Sequence, residues 1–348
     1  MANLKLVDFR PKSQLIVPET TISAPRYPII EAHTHLEGDF GAHWDKRPWE
    51  ELIDVLDAAG VRHVVDLDGM RGERYFDYHL RTFKERDPDR FKIFCGVEWH
   101  EWRNKRNRFG EWAAGHLEQL VRRGADGLKV HKNLGLLVRD QNDDLVAIDD
   151  RRLNPLWAKA GELDVPITVH IADPVAFFLP IDRYNERYEE LGQHPDWSFY
   201  GPQFPEFLTL LDQFANVVER HPATTFIGAH TGNYAENLAW VGEMLDRCPN
   251  YYIDISERIG EMGRQPRTAR RFFVQYQDRI LFGTDIGPHL DRYRIYYRFL
   301  ETDDEYFNYN IDEVPPQGRW QIYGIHLPDE VLQKVYFRNA ACILGISE

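Results

Sequence analysis

Eight short apolar runs recur along the chain, each separated from the next by a stretch with helical spacing, and this alternation restricts the fold more than any other feature. A strand followed by a helix, repeated without a linker, predicts parallel strands, because a parallel neighbour is reached only through a crossover. The runs are Ile29 to His35, Val61 to Leu67, Phe91 to Val97, Gly127 to His131, Val165 to His170, Thr225 to His230, Tyr251 to Ile255 and Arg279 to Asp285. Between them, Trp49 to Ala59 carries apolar residues at Trp49, Leu52, Ile53 and Leu56 and stops at Gly60. Pro155 to Leu163 starts with Asn154 as N-cap and proline at the first helical position. The expected fold is α/β, a single (β/α)8 TIM barrel over residues 28–348, with residues 1–27 as an extended lead-in or small hairpin. A doubly wound sheet is the competing architecture, but it does not need eight strands. Two connections break the rhythm, 172–205 after the fifth strand and 286–327 after the eighth, and the last helix is expected from Pro328 to Leu344. Connections this long inside a compact domain usually carry function or cover a site.

The net charge of −14, with basic residues mixed among the acids, argues against nucleic acid or an anionic membrane as partner and leaves a small-molecule substrate. No apolar run approaches the length of a membrane span, and the first residues lack the basic start and apolar segment of a signal peptide. Cys95, Cys248 and Cys342 stand singly without metal-ligand spacing, as reduced thiols do in a cytoplasm, which is the expected location.

The ends of the strands carry the chemistry. His33 and His35 are spaced i, i+2, which puts two imidazoles on one face of a strand, half of a divalent-metal site. Lys129 and His131 end the fourth strand, His170 the fifth, His230 the sixth and Asp285 the eighth, while Asp254 lies on the seventh. In a barrel these positions converge on one mouth. A lone histidine at a strand end is most often a hydrogen-bonded core residue. Several together, with a carboxylate, suit Zn²⁺ or a similar ion with one position open to water.

His33-Thr34-His35, His170, Gly228-Ala229-His230 and Gly283-Thr284-Asp285, in this order, resemble the amidohydrolase superfamily. The similarity is to its amidohydrolase-related branch, which includes aminocarboxymuconate semialdehyde decarboxylase, γ-resorcylate decarboxylase and pyrone dicarboxylate lactonase. Gly127-Leu128-Lys129-Val130-His131 and the terminal Asn339-Ala340-Ala341-Cys342-Ile343-Leu344-Gly345 are similar to pieces of the same branch. The resemblance implies that His33, His35, His170 and Asp285 hold a divalent metal, most often Zn²⁺ with Mn²⁺ or Fe²⁺ as alternatives, one per subunit. It implies His230 and Asp285 as the catalytic pair, and a homodimer as the assembly. Glu31 stands where the branch commonly has aspartate, and is expected on the face of His33 with a longer reach. Lys129 corresponds to a lysine that in some members is carboxylated and bridges two metals; the reading favoured here is a cation facing a substrate carboxylate or making an inner salt bridge. His131, Trp99, Arg103 and Arg258 are expected to line the substrate site, with Arg187 and Arg292 among further candidates on loops near the mouth. The implied activity is metal-dependent hydrolysis of a small carboxylated or cyclic substrate. Non-oxidative decarboxylation or another C–C or C–O cleavage is the alternative, and a non-catalytic metal-binding protein the third reading.

Overall fold

The computed structural model describes residues 4–347. Its strands are β1 (Ile29–Thr34), β2 (Val61–Asp66), β3 (Phe91–Cys95), β4 (Gly127–Val130), β5 (Ile167–Val169), β6 (Phe226–Gly228), β7 (Tyr251–Asp254) and β8 (Ile280–Leu281). They form one parallel sheet in sequence order. The sheet closes where Ala32 N donates to Phe282 O at 2.9 Å and Asp285 N to His33 O at 2.7 Å. This is the (β/α)8 barrel.

A helix follows each strand: α1 (Trp49–Ala58), α2 (Glu73–His79), α3 (Phe109–Arg122), α4 (Asn154–Glu162), α5 (Phe207–Arg220), α6 (Leu238–Arg247), α7 (Pro266–Gln275) and α8 (Leu290–Glu301). Leu128, Val130, Ile167, Val169, Ile253 and Ile280 point outward into the main core, where they meet Leu117, Leu156, Trp157, Leu210 and Phe214 of the helices. Ile30, Ala32, Ile227 and Leu281 fill the lumen instead, and the C-terminal residues Phe337, Ala340, Ala341, Ile343 and Leu344 plug it from below. That plug is why the chain needs a helix beyond the eighth. Its middle, Lys334–Arg338, is a π turn, and Val335 O there accepts from Phe282 N at 3.0 Å, so the last helix is stitched to β8. None of the described helices is long and apolar enough to cross a membrane.

Two expectations need correction. The 286–327 connection is not a plain insertion, because it contains α8, whose Tyr293, Tyr296, Tyr297 and Leu300 lie at helical spacing and are buried. The many charges interleaved with those tyrosines hid an i, i+3, i+4, i+7 stripe. Glu31 does not share the face of His33. Register slips by one residue between Glu31 and Thr34, a β-bulge, so Ile30 and Ala32 face the lumen, Glu31 faces α8, and His33 and His35 turn back to the mouth. Glu31 accepts from His33 N, Thr284 N and Thr284 Oγ1 at 3.2, 2.9 and 3.0 Å, and burial pushes its carboxyl up to about 8. Gly283 is required opposite the bulge, since a Cβ there would come within 2.9 Å of His33 Cβ.

Residues 4–28 form no strand. They run over the barrel as an extended arm pinned by Thr20, whose N and Oγ1 each donate to Asp304 at 2.7 Å. After β5, short helical turns at Val175–Phe178, Tyr188–Gln193 and Pro195–Trp197 form a cover that contacts the loops after β1, β6 and β7 through Trp197, Val175 and Arg187. Trp197 there stacks on His194 and meets Phe40 of the loop after β1 at 6.4 Å between ring centroids.

Candidate metal centre

His33 and His35 leave the bulge with both Nε2 atoms aimed at the same oxygen, Asp285 Oδ1, at 2.9 and 3.2 Å. His230 Nε2 lies 3.7 Å from the other oxygen, Asp285 Oδ2, and 3.3 Å from His170 Nδ1. Asp285 has φ +67°, a left-handed conformation that turns its carboxylate out of β8 and over the mouth. His230 and Thr231 are left-handed as well, so the backbone after β6 coils tightly enough to bring the imidazole inward. Backbone strain at three such residues is consistent with a site whose geometry the surrounding fold imposes.

Each histidine of the candidate ligand set is held from behind by a buried carboxylate. His33 Nδ1 contacts Asp254 Oδ2 at 2.8 Å, His35 Nδ1 contacts Asp68 Oδ1 at 2.8 Å, and His170 Nε2 contacts Asp173 Oδ1 at 3.2 Å. Asp68 is itself fixed by the amides of Leu36 and Glu37, and Asp173 by Lys132 at 2.5 Å. Such partners settle which ring nitrogen is free to bind an ion and raise its basicity. His230 Nδ1 instead faces the carbonyl of Ser256 at 3.0 Å, so Nε2 carries its lone pair toward the centre.

The electrostatics agree with a cation site. Burial holds His170 and His230 well below the ordinary imidazole range, so both are neutral. Burial works against a charged His35 too, yet Asp68 and Asp285 outweigh it and raise its pKa to about 10. Burial acts to raise the Asp285 pKa, but the facing His33 and the hydrogen bonds from His33 and His35 win and keep the carboxylate ionised. A proton on His35 thus sits where a divalent ion would bind. His33, His35 and Asp285 present ligand atoms within 4.8 Å of one another, and the donor set of imidazoles and one carboxylate fits Zn²⁺, Mn²⁺ or Fe²⁺. His170, through Nδ1, adjoins this group by way of His230.

Lys129 is 2% exposed, and its Nζ lies 3.3 Å from His33 Nε2. Burial lowers its pKa to about 8, with Asp285 and Asp254 pulling the other way, and no acid within salt-bridge distance pairs with it among the described residues. His131 packs edge-on to His170 at 5.4 Å, and burial lowers its pKa to about 3. The structure does not bring Trp99 and Arg103 to this centre. Trp99 stacks on Phe109 in the outer core, because the segment after β3 coils into short helices, and the Arg103 side chain is 73% exposed beside Asp143. Arg258 is buried; its guanidinium donates to Glu257 O at 2.7 Å and lies near enough to His230 and Glu261 to act on their charge.

Sequence reasoning missed Asp68 and Asp173. Both follow the rule that found the histidines, since each is a polar residue just past a strand, but neither has a motif of its own. Asp173→Asn and Asp68→Asn are each expected to weaken metal binding about 10–100-fold with the fold retained. Competition with a metallochromic chelator, alongside thermal unfolding, measures both; unchanged affinity in the two variants would remove these carboxylates from the site.

A family model described as amidohydrolase matches residues 46–346, a segment that begins after His33 and His35. A search of curated proteins finds no significant sequence match. Among solved structures, 2,6-dihydroxybenzoate decarboxylase from Rhizobium is similar at 17% identity and TM-score 0.56, over 92% of this chain and 99% of that one. A dihydroxybenzoic acid decarboxylase from Polaromonas, with bound manganese and the inhibitor 2-nitroresorcinol, matches at 17% identity and TM-score 0.56 over 92% and 98%. 5-Carboxyvanillate decarboxylase from Sphingomonas paucimobilis matches at 12% identity and TM-score 0.52 over 92% and 99%. At these identities the likeness is one of fold.

Proposed function

The chain belongs to the amidohydrolase family, and from that premise we propose that it is a divalent-metal enzyme that decarboxylates a small acidic molecule without a redox step. The observation that carries the reading is Lys129. An ammonium 3.3 Å from the nitrogen of His33 that would hold the ion calls for an anion beside it, and among the described residues no carboxylate lies within salt-bridge distance of it, although Asp285 and Asp254 are near enough to act on its charge. A substrate carboxylate or phenolate supplies that anion. The decarboxylases among the structural neighbours, one of them with manganese, support the same reading.

In this proposal His33, His35, His170 and Asp285 would hold the ion, which would supply Lewis-acid polarisation of a substrate oxygen. Lys129 binds the anionic oxygen, and His131 lines the space beside it. The C–C bond to the carboxylate breaks, CO₂ leaves, and the electron pair stays on carbon. That carbon takes a proton that His230 Nε2, 3.7 Å from Asp285 Oδ2 and with its lone pair toward the centre, must first accept from water.

Hydrolysis is the second reading, and one observation favours it. His170 and His230 are neutral and adjacent, and His230 packs 5.0 Å from the ring of His33, which Lys129 contacts, an arrangement that a carboxylated Lys129 and a second metal would complete. Asp285 would then accept a proton from the attacking water. The test is metal content of the purified protein together with CO₂ and acid release from a panel of hydroxybenzoates, lactones and esters. Decarboxylation predicts one equivalent of metal, CO₂ release, and loss of turnover in Lys129→Met with the metal retained. Two equivalents, acid release and loss of metal in that variant would replace it with hydrolysis.

A further inference from the structure

Close to Asp285, whose charge acts on Glu257 in its wall, lies a small polar cavity of about 20 Å³ that the reaction above leaves unused. Glu257, Arg292, Tyr296 and Gln317 line it, together with Ile286, the residue after Asp285. Arg292 has no hydrogen bond or ion pair among the described residues, although it lies close enough to Glu257 to act on its charge. Gln317 is 7% exposed; its Nε2 donates to Glu257 Oε2 at 2.7 Å, and its Oε1 has no partner. The rest of the wall is firm. Glu257 N donates to Tyr296 Oη at 2.9 Å, and Tyr309 Oη accepts from Gln317 N and Gly318 N at 3.0 Å each.

The inventory selects a chemical group. A guanidinium with unused donors stands opposite a carboxyl and an orphan amide oxygen, so an occupant must accept from one side and donate to the other. A carboxylate cannot donate, and an alkyl group would strand three polar groups. The space, about that of one water molecule, excludes a ring.

We propose that this cavity is a hydroxyl-recognition subsite, in which Arg292 donates to a substrate hydroxyl and Glu257 or Gln317 accepts its proton. It rests on the reading that the adjoining metal centre binds an acidic substrate, and it makes that substrate a hydroxy acid. Arg292 and Glu257 are then specificity residues, set one turn of α8 and one loop from the metal ligands.

The test is calorimetric binding of benzoate and of 2-, 3- and 4-hydroxybenzoate to the metal-loaded protein, without turnover. The best hydroxybenzoate is expected to bind at least about tenfold tighter than benzoate, the worth of a hydroxyl that pairs buried groups. In Arg292→Met and Glu257→Gln that ratio is expected to fall to within about twofold while benzoate affinity stays put. Arg292 makes no bond that folding needs, and equal thermal unfolding of the variants checks it. A wild-type ratio near one, binding of neither compound, or a ratio unchanged in both variants would overturn the subsite. A variant-sensitive ratio in a protein that releases no CO₂ would keep the subsite and sink decarboxylation alone.

Discussion

Asp285→Asn is expected to lower turnover by about 10²–10⁴-fold and to weaken metal binding at the same time. Asparagine keeps the size and the left-handed backbone, which asparagine tolerates better than most residues. What it removes is the charge on which His33 and His35 converge at 2.9 and 3.2 Å, and toward which His230 points at 3.7 Å. The carboxylate is the one part of this set with appreciable exposure, 24% against 1% for His33, so it is also the group that meets substrate. Elemental analysis separates the two losses: reconstitution at high metal concentration should restore occupancy but not turnover. A variant that keeps both metal and activity within tenfold of the wild type would show that Asp285 is neither ligand nor proton carrier.

The largest effect on stability is expected at Arg187, on the cover formed after β5. Its side chain is 1% exposed and pairs with Glu190 at 2.8 Å and with Glu261, itself 1% exposed. Arg264 closes on the same cluster, and its guanidinium lies 4.0 Å above the Trp320 ring. The cluster thus joins the 172–205 cover to the short helix Ile259–Arg264 and to the last long connection. Arg187→Met leaves Glu261 buried without its main cation and should cost about 3–5 kcal/mol. Replacing Arg187, Glu190 and Glu261 together by apolar residues should cost much less, because no charge is stranded.

The pair also gives a pH signature. Burial acts to raise the Glu261 pKa, but Arg187, with Arg258 and Arg264, outweighs it and holds the pKa below its ordinary 4.5. The contribution is therefore fully present above about pH 4.5, and falls away as pH drops through the lower folded value. Urea unfolding at pH 7 and at pH 3 measures both: Arg187→Met should lose most stability at pH 7 and approach the wild type in acid. A constant difference across that range would mean that Arg187 stabilises by packing, not by charge.

Much of the fold was legible because barrel strands are apolar on their outer face and end in polar residues. Leu128, Val130, Ile167 and Val169 read as strand for that reason, and Lys129 and His170 beside them read as site. The same logic located His33, His35, His230 and Asp285, which the structure gathers around one carboxylate. It failed at Glu31, since strict alternation puts residues two apart on one face and a bulge breaks alternation. It failed at Trp99 and Arg103, whose segment coils away from the mouth. And it missed α8, where tyrosines served as core residues among charges.

From the order of residues alone follow the eight-fold alternation, the barrel and the polar groups at its strand ends, because each depends on local periodicity and on hydrophobic burial, which neighbours along the chain determine. The three-dimensional packing alone decides which carboxylate stands behind which histidine, that Lys129 has no acid within salt-bridge distance among the described residues, and that Arg292, Glu257 and Gln317 share one cavity. Those are contacts between segments far apart in sequence, and their energies turn on distances of a few ångströms that no local pattern encodes.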